Sequence, residues 1–166
     1  MIELKRLRPE AIPAALEKAV RYRLLNEPLQ AESICLDILA IEPEHENTLI
    51  TLLLALTDQF RHRLAGAFGE AQGTVARLED DYKRLYYEGI VYERRADAHR
   101  TTGGPGSSSI AYDWYRRAMD TYEKAAEISP EGDDEAILRW NTCARILNRH
   151  SELQPAPKDT FVPLLE

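Results

Sequence analysis

The sequence predicts an all-α protein built as an array of antiparallel helix hairpins. Three observations favour this fold class. Apolar residues recur every three or four positions along most of the chain, Pro and Gly interrupt it at intervals of about one helix length, and one set of small, aromatic and Pro residues occurs twice at the same offsets. The 166 residues are 44% hydrophobic, which is enough apolar material for the core of a single domain.

The first half of the chain is predicted to begin with three helices. The first covers residues 9–26, where the apolar positions form one stripe. The second covers residues 28–42: Pro28 suits a first helical position, where its missing N–H would have no partner anyway, and Pro43 ends the helix. The third covers residues 46–60 and is apolar nearly all round, which predicts that it packs between neighbours.

A fourth helix is predicted over residues 61–77, although this segment contains three glycines. Each Gly costs about 1 kcal/mol relative to Ala inside a helix. Gly66, Gly69 and Gly73 are spaced so that they share one face, which predicts the close approach of a neighbouring helix. The alternative is that the segment is frayed or mobile.

The second half of the chain is predicted to form three further helices. A long helix over residues 79–100 ends at the loop TTGGPGSSS, which consists mostly of Gly, Pro and Ser. Another long helix covers residues 110–128, and a last helix covers residues 133–148. The segment 151–166 contains three prolines and is predicted to be an extended or disordered tail.

An internal repeat is carried by two sets of residues with the same spacing. Offsets of four, seven and twelve residues from a small residue define the first set, Ala31, Cys35, Ile38 and Pro43, and the second set, Ala118, Tyr122, Ala125 and Pro130. Upstream, a small residue is followed three positions later by Tyr in both units, as Ala19 with Tyr22 and Gly89 with Tyr92. Small residues let two helices cross closely, Tyr fills the space beside them, and Pro fixes the turn into the next unit. The pattern resembles the tetratricopeptide repeat (TPR) family, whose unit has about 34 residues.

The resemblance implies a right-handed TPR-like array of helix hairpins over residues 1–150, with about three repeats and a C-terminal capping helix. The middle unit lacks the terminal Pro, so its register stays open. The third unit is too long, because its two small residues, Gly89 and Ala118, are 29 positions apart, whereas the matching pair in the first unit is 12 apart. An elongated hairpin is therefore predicted at about residues 82–128.

In the tetratricopeptide family, the first helices of the hairpins line a concave groove that holds a protein or peptide partner, and the resemblance implies such a groove here. Its lining, carried over by spacing, would be Leu16, Val20, Arg23, Asn47, Ile50, Leu54, Asp58, Lys83, Tyr86, Ile90, Arg94, Asn141 and Arg145. Tyr and Arg side chains are frequent hot spots of such surfaces. For Ile50 and Leu54, packing between helices is an equally good interpretation.

The elongated hairpin differs in charge from the rest of the chain. Residues 83–117 contain seven Lys or Arg and four Asp or Glu, a net charge of +3, and the remainder carries −10. A basic surface would steer an acidic partner or promote self-association, so a homo-oligomer formed through the hairpin is one hypothesis. The alternative is an ordinary solvated face.

The composition argues against several functional classes. A net charge of −7 and a pI near 5.2 argue against a nucleic-acid partner, since phosphate contacts need a basic surface. Cys35 and Cys143 form no metal-binding spacing and the four His lie in separate segments, so neither a metal nor another cofactor is expected. No apolar run is long enough to span a membrane and the N-terminus does not resemble a signal peptide, which predicts no membrane contact and a cytoplasmic location.

No set of side chains in the sequence matches a catalytic motif, and the GGPGSSS loop lacks the Lys and the preceding strand of a phosphate-binding loop. The protein is therefore predicted not to be an enzyme. The function that the resemblance implies is a protein-protein interaction module, an adaptor or scaffold that binds a partner segment in the groove or through the hairpin. The alternatives are a dedicated chaperone for a secreted client protein and a self-assembling structural protein.

Overall fold

The computed structural model describes residues 1–157, and within that range the chain forms helices and no strand. After a short 3₁₀ turn, the seven helices are α1 (Ile12–Leu24), α2 (Pro28–Leu39), α3 (Glu46–Thr57), α4 (Phe60–Val75), α5 (Asp81–Thr102), α6 (Ser107–Glu127) and α7 (Glu135–Arg149). The predicted all-α class is confirmed, and each of the seven predicted helices has a counterpart. Residues 158–166, which belong to the predicted tail, lie outside the described residues.

Local capping explains where several helices begin and end. The carboxylate of Asp80 accepts a hydrogen bond from the backbone N–H of Lys83 at 2.7 Å, so α5 begins two residues later than predicted. α6 begins at Ser107, three residues earlier than predicted, directly after Gly106 in the left-handed conformation. Asn26 takes a positive φ of 60° just after α1, a conformation that Asn tolerates better than most residues and that stops the helix.

The helices pack in chain order. Each helix contacts the next one, and α3 also contacts α1 and α5, so α1, α3 and α5 lie side by side. One hydrophobic cluster, here called the cluster of α1 to α4, lies among these helices and also includes Val91 and Ala98 of α5, and a second cluster lies among α5, α6 and α7. Leu54 of α3 and Phe68 of α4 pack against both clusters and join them into a continuous core.

The two repeated sets of small and aromatic residues lie in this core. Their fully buried members, each 0% exposed, are Ala31, Cys35, Ile38, Ala118, Tyr122 and Ala125. Gly89 of α5 faces the ring of Tyr122 on α6 so closely that no room remains for a Cβ atom. The close crossing expected of the small residues is therefore present between α5 and α6.

The glycines of α4 do not have the predicted role. Gly69 and Gly73 have no neighbouring atom within 4 Å of a Cβ position, and the third glycine faces only side chains of its own helix. The prediction of a close approach is wrong because α4 packs through another face, on which Ala67 and Ala71 are 0% exposed. The segment is helical throughout except at Arg63, whose φ of −142° and ψ of 44° break α4 near its start.

α5 and α6 are the two longest helices, with 22 and 21 residues, and they pack against each other as a hairpin. Their connection, residues 103–106, is exposed, and three of its residues are Gly with positive φ. The pair occupies the region where an elongated hairpin is predicted. After α7 the chain returns to the second cluster through Leu153, which is 1% exposed, so the beginning of the predicted tail is anchored on the core.

Candidate partner-binding surface

The residues predicted to line a groove lie on or next to α1, α3, α5 and α7. Three are exposed, Val20, Asn47 and Arg145, and nine are half-buried, Leu16, Arg23, Ile50, Leu54, Asp58, Lys83, Tyr86, Arg94 and Asn141. Ile90 is the exception, because it is 2% exposed and packs in the cluster of α5 to α7. Ile90 is therefore corrected to a core residue, since neighbouring helices cover the side chain and keep a partner from reaching it.

Two more apolar members of the predicted set contribute to helix packing. Ile50 packs against the cluster of α1 to α4, and Leu54 packs against both clusters. Their half-buried state fits the interpretation in which they hold helices together. What remains for contact with a partner is a surface of mainly polar, charged and aromatic side chains.

Ion pairs connect neighbouring helices across this surface. Nε of Arg23 on α1 lies 2.7 Å from Oδ2 of Asp58, directly after α3, and Nζ of Lys83 on α5 lies 2.5 Å from Oε2 of Glu46 on α3. Because both pairs are partly exposed, each contributes at most about 1 kcal/mol to stability. The pairs nevertheless bring charged groups of three helices to one surface.

α7 joins the same surface through Tyr86. The Tyr86 hydroxyl donates a hydrogen bond to Oε2 of Glu135 at 3.2 Å, and its ring contacts Tyr87 and Tyr82 with centroid distances of 5.0 and 6.0 Å. Burial raises the pKa of the Tyr86 hydroxyl, so this group stays a neutral donor at physiological pH. Tyr86 thus offers a partly exposed aromatic side chain that contacts on α5 and α7 hold in place.

A cavity of about 510 Å³ opens between α1, α3, the start of α4 and α5. Its lining residues are Arg23, Leu24, Asn26, Thr57, Asp58, Phe60, Arg61, His62, Arg94, Asp97 and Ala98. The cavity brings together three residues of the predicted set, Arg23 of α1, Asp58 directly after α3 and Arg94 of α5. It is therefore the part of the predicted surface that is concave.

The electrostatics of this cavity favour an anionic group. Asp58 is paired with Arg23, and Asp97 lies 3.1 Å from the guanidinium of Arg100. Within residues 1–157, neither Arg61 nor Arg94 has a carboxylate oxygen within 4 Å. These two guanidinium groups give the cavity a positive edge in a chain that is acidic overall.

A buried polar network beneath α7 was not predicted from the sequence. Glu93 of α5 is 4% exposed, accepts a hydrogen bond from the Tyr122 hydroxyl at 2.6 Å and lies 3.2 Å from Nη1 of Arg139 on α7. Burial, and then the charge of Glu93, raise the pKa of Tyr122, while Glu93 raises the pKa of Arg139 despite burial of that guanidinium. In the sequence, only Tyr122 could have pointed to this network, because a tyrosine predicted in the core needs a hydrogen-bond partner for its hydroxyl.

A second, larger cavity of about 720 Å³ lies beside the turn between α1 and α2, and sequence reasoning missed it as well. Its lining includes Leu25, Leu29, Gln59, His62 and Arg63. The leucines at this turn are unusually exposed, with 63% of Leu25 and 63% of Leu29 open to solvent. The positive φ of Asn26 and the break in α4 shape this cavity, and neither can be read from residue spacing.

Both cysteines are buried free thiols. Burial raises the pKa of the Cys35 thiol to about 12 and the pKa of Cys143 further above its usual range, so both thiols are protonated at neutral pH and are poor nucleophiles. In the same part of the chain, no three His, Cys, Asp or Glu side chains lie close enough to hold a metal ion. None of the helices from α1 to α7 combines the length and apolar character needed to cross a bilayer.

Comparisons with known proteins identify no relative. No family model matches the chain, and neither a curated protein nor a solved structure matches it significantly. The resemblance to the tetratricopeptide family therefore stays a prediction that rests on residue spacing.

Proposed function

We propose that the chain is a non-catalytic protein-interaction module of the tetratricopeptide type, an adaptor or scaffold that binds a segment of a partner protein. The binding surface is formed by α1, α3, α5 and α7, together with Arg61 at the start of α4. The observation that carries this proposal is the cavity in which Arg23, Asp58 and Arg94 meet, because three successive first helices contribute to it. Helix-hairpin arrays commonly use such a continuous surface to bind partners.

The surface favours a partner segment with an acidic residue next to apolar ones. Arg61 and Arg94 would pair with a carboxylate of the partner, and the charge pattern would set its orientation. Tyr86 and Val20 would contact apolar groups, with Tyr86 as a hot spot. The net charge of −7 makes a nucleic acid an unfavourable partner. The two buried free thiols suit a reducing compartment, and we place the protein in the cytoplasm.

A second candidate is a dedicated chaperone for a secreted client, and one observation favours it. Leu24, Leu25 and Leu29 are 81%, 63% and 63% exposed, and two of them line the cavity beside the α1–α2 turn. Contiguous exposed apolar groups are typical of surfaces that hold an unfolded or partly folded segment. The two candidates differ in the residues that they require.

Site-specific cross-linking tests where the partner binds. A photoreactive amino acid replaces Asn47, an exposed residue of the proposed surface to which no partner contact is assigned, in one variant and Glu123, an exposed residue of α6, in the control variant. The adaptor proposal expects position 47 to capture one protein from native cells and position 123 to capture none. Capture of the same proteins at both positions would contradict a defined binding surface.

Affinity measurements with the captured protein then separate the two candidates. Arg94→Glu should weaken binding by about tenfold or more, equal to about 1.4 kcal/mol, whereas Lys124→Glu on α6 should leave it unchanged. If Leu25→Ser with Leu29→Ser abolishes binding and Arg94→Glu does not, the chaperone candidate is favoured instead. Circular dichroism of each variant establishes that the helices are retained.

A further inference from the structure

Two arginines are held against three aromatic rings where α4, α5 and α6 meet. The guanidinium carbon of Arg95 lies 4.0 Å from the ring centroid of Phe68 and 4.1 Å from that of Trp114. The guanidinium carbon of Arg117 lies 4.7 Å from the ring centroid of Tyr92 and 5.1 Å from that of Trp114. We call these five residues the stacked-arginine cluster.

The two arginines of the cluster form no ion pair in the part of the chain that the structure describes. Within residues 1–157, neither Arg95 nor Arg117 has a carboxylate oxygen within 4 Å, although Arg23, Arg63 and four other Lys or Arg side chains do. Burial, and then the charge of Arg117, lower the pKa of Arg95, which indicates that the two guanidinium groups repel each other.

Two buried nitrogen atoms in and beside the cluster also lack a hydrogen-bond partner among the described residues. In the described part of the chain, Nε of Arg95 and Nε2 of His99 are buried and make no hydrogen bond. His99 lies one turn after Arg95 on the same face of α5, and burial, followed by the charge of Arg95, lowers its pKa. Buried polar groups normally find a partner, and a bound ligand is one way to supply it.

Aromatic stacking accounts for only part of this arrangement. Contact between a guanidinium and two rings explains why Arg95 lies between α4 and α6. It does not explain why a second guanidinium contacts the same Trp114 ring without a carboxylate, since like charges in proximity are unfavourable. An anion between Arg95 and Arg117 would remove the repulsion.

We propose that Arg95 and Arg117 form a binding site for a phosphoryl group. Arg117 is exposed and Arg95 is half-buried with a buried Nε, and aromatic rings lie against both guanidinium groups. The rings thereby hold the donors in place before a ligand arrives. A phosphoryl group has enough oxygens to accept hydrogen bonds from two guanidinium groups, whereas one guanidinium already satisfies a carboxylate.

This site is separate from the proposed partner-binding surface. Arg95 follows Arg94 directly on α5, and consecutive residues point about 100° apart around a helix. The other members of the stacked-arginine cluster lie on α4, α5 and α6, and none lies on α1, α3 or α7. Phosphate binding and partner binding at Arg94 can therefore succeed or fail independently.

Calorimetric titration of the full chain with inorganic phosphate tests the proposal. The ionic strength is kept constant with sodium chloride, so that general screening cancels. The wild-type chain should bind phosphate saturably at one site. Arg117→Gln should weaken binding by about tenfold, and Arg116→Gln, which removes the same charge from the neighbouring exposed position, should leave it unchanged. Because Arg117 is exposed, the variant should keep its helical circular dichroism spectrum.

Three further titrations define the ligand and the geometry. Arg95→Lys keeps the charge but loses the planar fork, so it should also weaken phosphate binding. A phosphoserine peptide that binds more tightly than free phosphate identifies a phosphorylated protein as the source, and equal affinity identifies a small phosphate; both support the site. Acetate that binds as tightly as phosphate overturns the phosphoryl assignment. No saturable heat with wild-type protein, or equal weakening by Arg116→Gln and Arg117→Gln, overturns the site itself.

Discussion

The ring of Tyr122 occupies the space that a Cβ atom on Gly89 would need, because Cε1 of Tyr122 lies 2.5 Å from that position. Tyr122 is 0% exposed, so the ring has no free volume into which it could retreat. The crossing of α5 and α6 therefore depends on glycine at position 89 together with the large side chain opposite.

Gly89→Ala should consequently destabilise the protein. The added methyl group forces α5 and α6 apart or the ring of Tyr122 out of its position, at a cost of about 1–3 kcal/mol. Urea unfolding followed by circular dichroism measures the change. Gly69→Ala is the matched control, because a Cβ at Gly69 meets nothing within 4 Å. It should stabilise α4 by about 0.5–1 kcal/mol. Equal effects of the two substitutions would contradict this account.

The hydroxyl of Tyr122 should stabilise the folded protein independently of the packing of its ring. Tyr122→Phe keeps the packing against Gly89 but removes the hydrogen bond to the buried carboxylate of Glu93. We expect a loss of about 1–3 kcal/mol, because Glu93 then keeps only its contact with Arg139. The free energy of unfolding measures this loss. Tyr112→Phe, at a half-buried tyrosine on the same helix, should change it by less than about 0.5 kcal/mol, and a similar loss there would point to a general effect of the substitution.

The free energy of unfolding should fall as the pH rises above about 8.5, where a thiol in an unfolded chain loses its proton. The pKa of Cys35 is raised by burial to about 12 in the folded chain, whereas an unfolded thiol titrates at about 8.5. The unfolded state therefore releases a proton that the folded state keeps, so the contribution is complete below about pH 8.5 and is lost towards pH 12.

Cys35→Ala isolates this effect. Urea unfolding between about pH 9 and 10 should show a slope of stability against pH that is shallower than wild type by up to about 1.4 kcal/mol per pH unit. Thr48→Ala serves as the control, since it removes a buried group that does not titrate, and its slope should equal that of wild type. An unchanged slope in Cys35→Ala would mean that the thiol ionises normally in the folded protein.

The segment after α7 should stabilise the array through Leu153. Its side chain is 1% exposed in the cluster of α5 to α7, so Leu153→Ala should cost about 2–4 kcal/mol. Thermal unfolding measures this cost. Gln154→Ala, at the exposed neighbouring position, should change the free energy of unfolding by less than about 0.5 kcal/mol. If both substitutions are neutral, Leu153 is not anchored in solution.

The positions of the helices could be predicted because apolar periodicity and proline are local signals. Pro28 starts a helix where expected, and the small and aromatic residues at the repeated offsets within α2 and α6 are buried. The packing partners of a helix are not local. The glycines of α4 share a face as predicted, but whether another helix covers that face depends on the path of the whole chain, and here none does.

The candidate site could be predicted only in outline for the same reason. Spacing placed Ile90 and Arg94 on one face of α5, four residues apart, yet Ile90 is covered by the core and Arg94 lines a cavity. Glu93 was overlooked because a glutamate on a long charged helix gives no sign of burial. Its role becomes visible only through Tyr122 and Arg139, which lie on two other helices.

The break at Arg63 should make the shape of α4 depend on the salt concentration. The Arg63 guanidinium bonds both carboxylate oxygens of Glu70 on the far side of the break, and it also contacts Glu32 on α2 at 3.3 Å. Dissolved salt weakens partly exposed contacts of this kind. We therefore expect the first turn of α4 to become more mobile at high ionic strength. The width of the cavity lined by Leu25 and Leu29 would then change with the salt concentration.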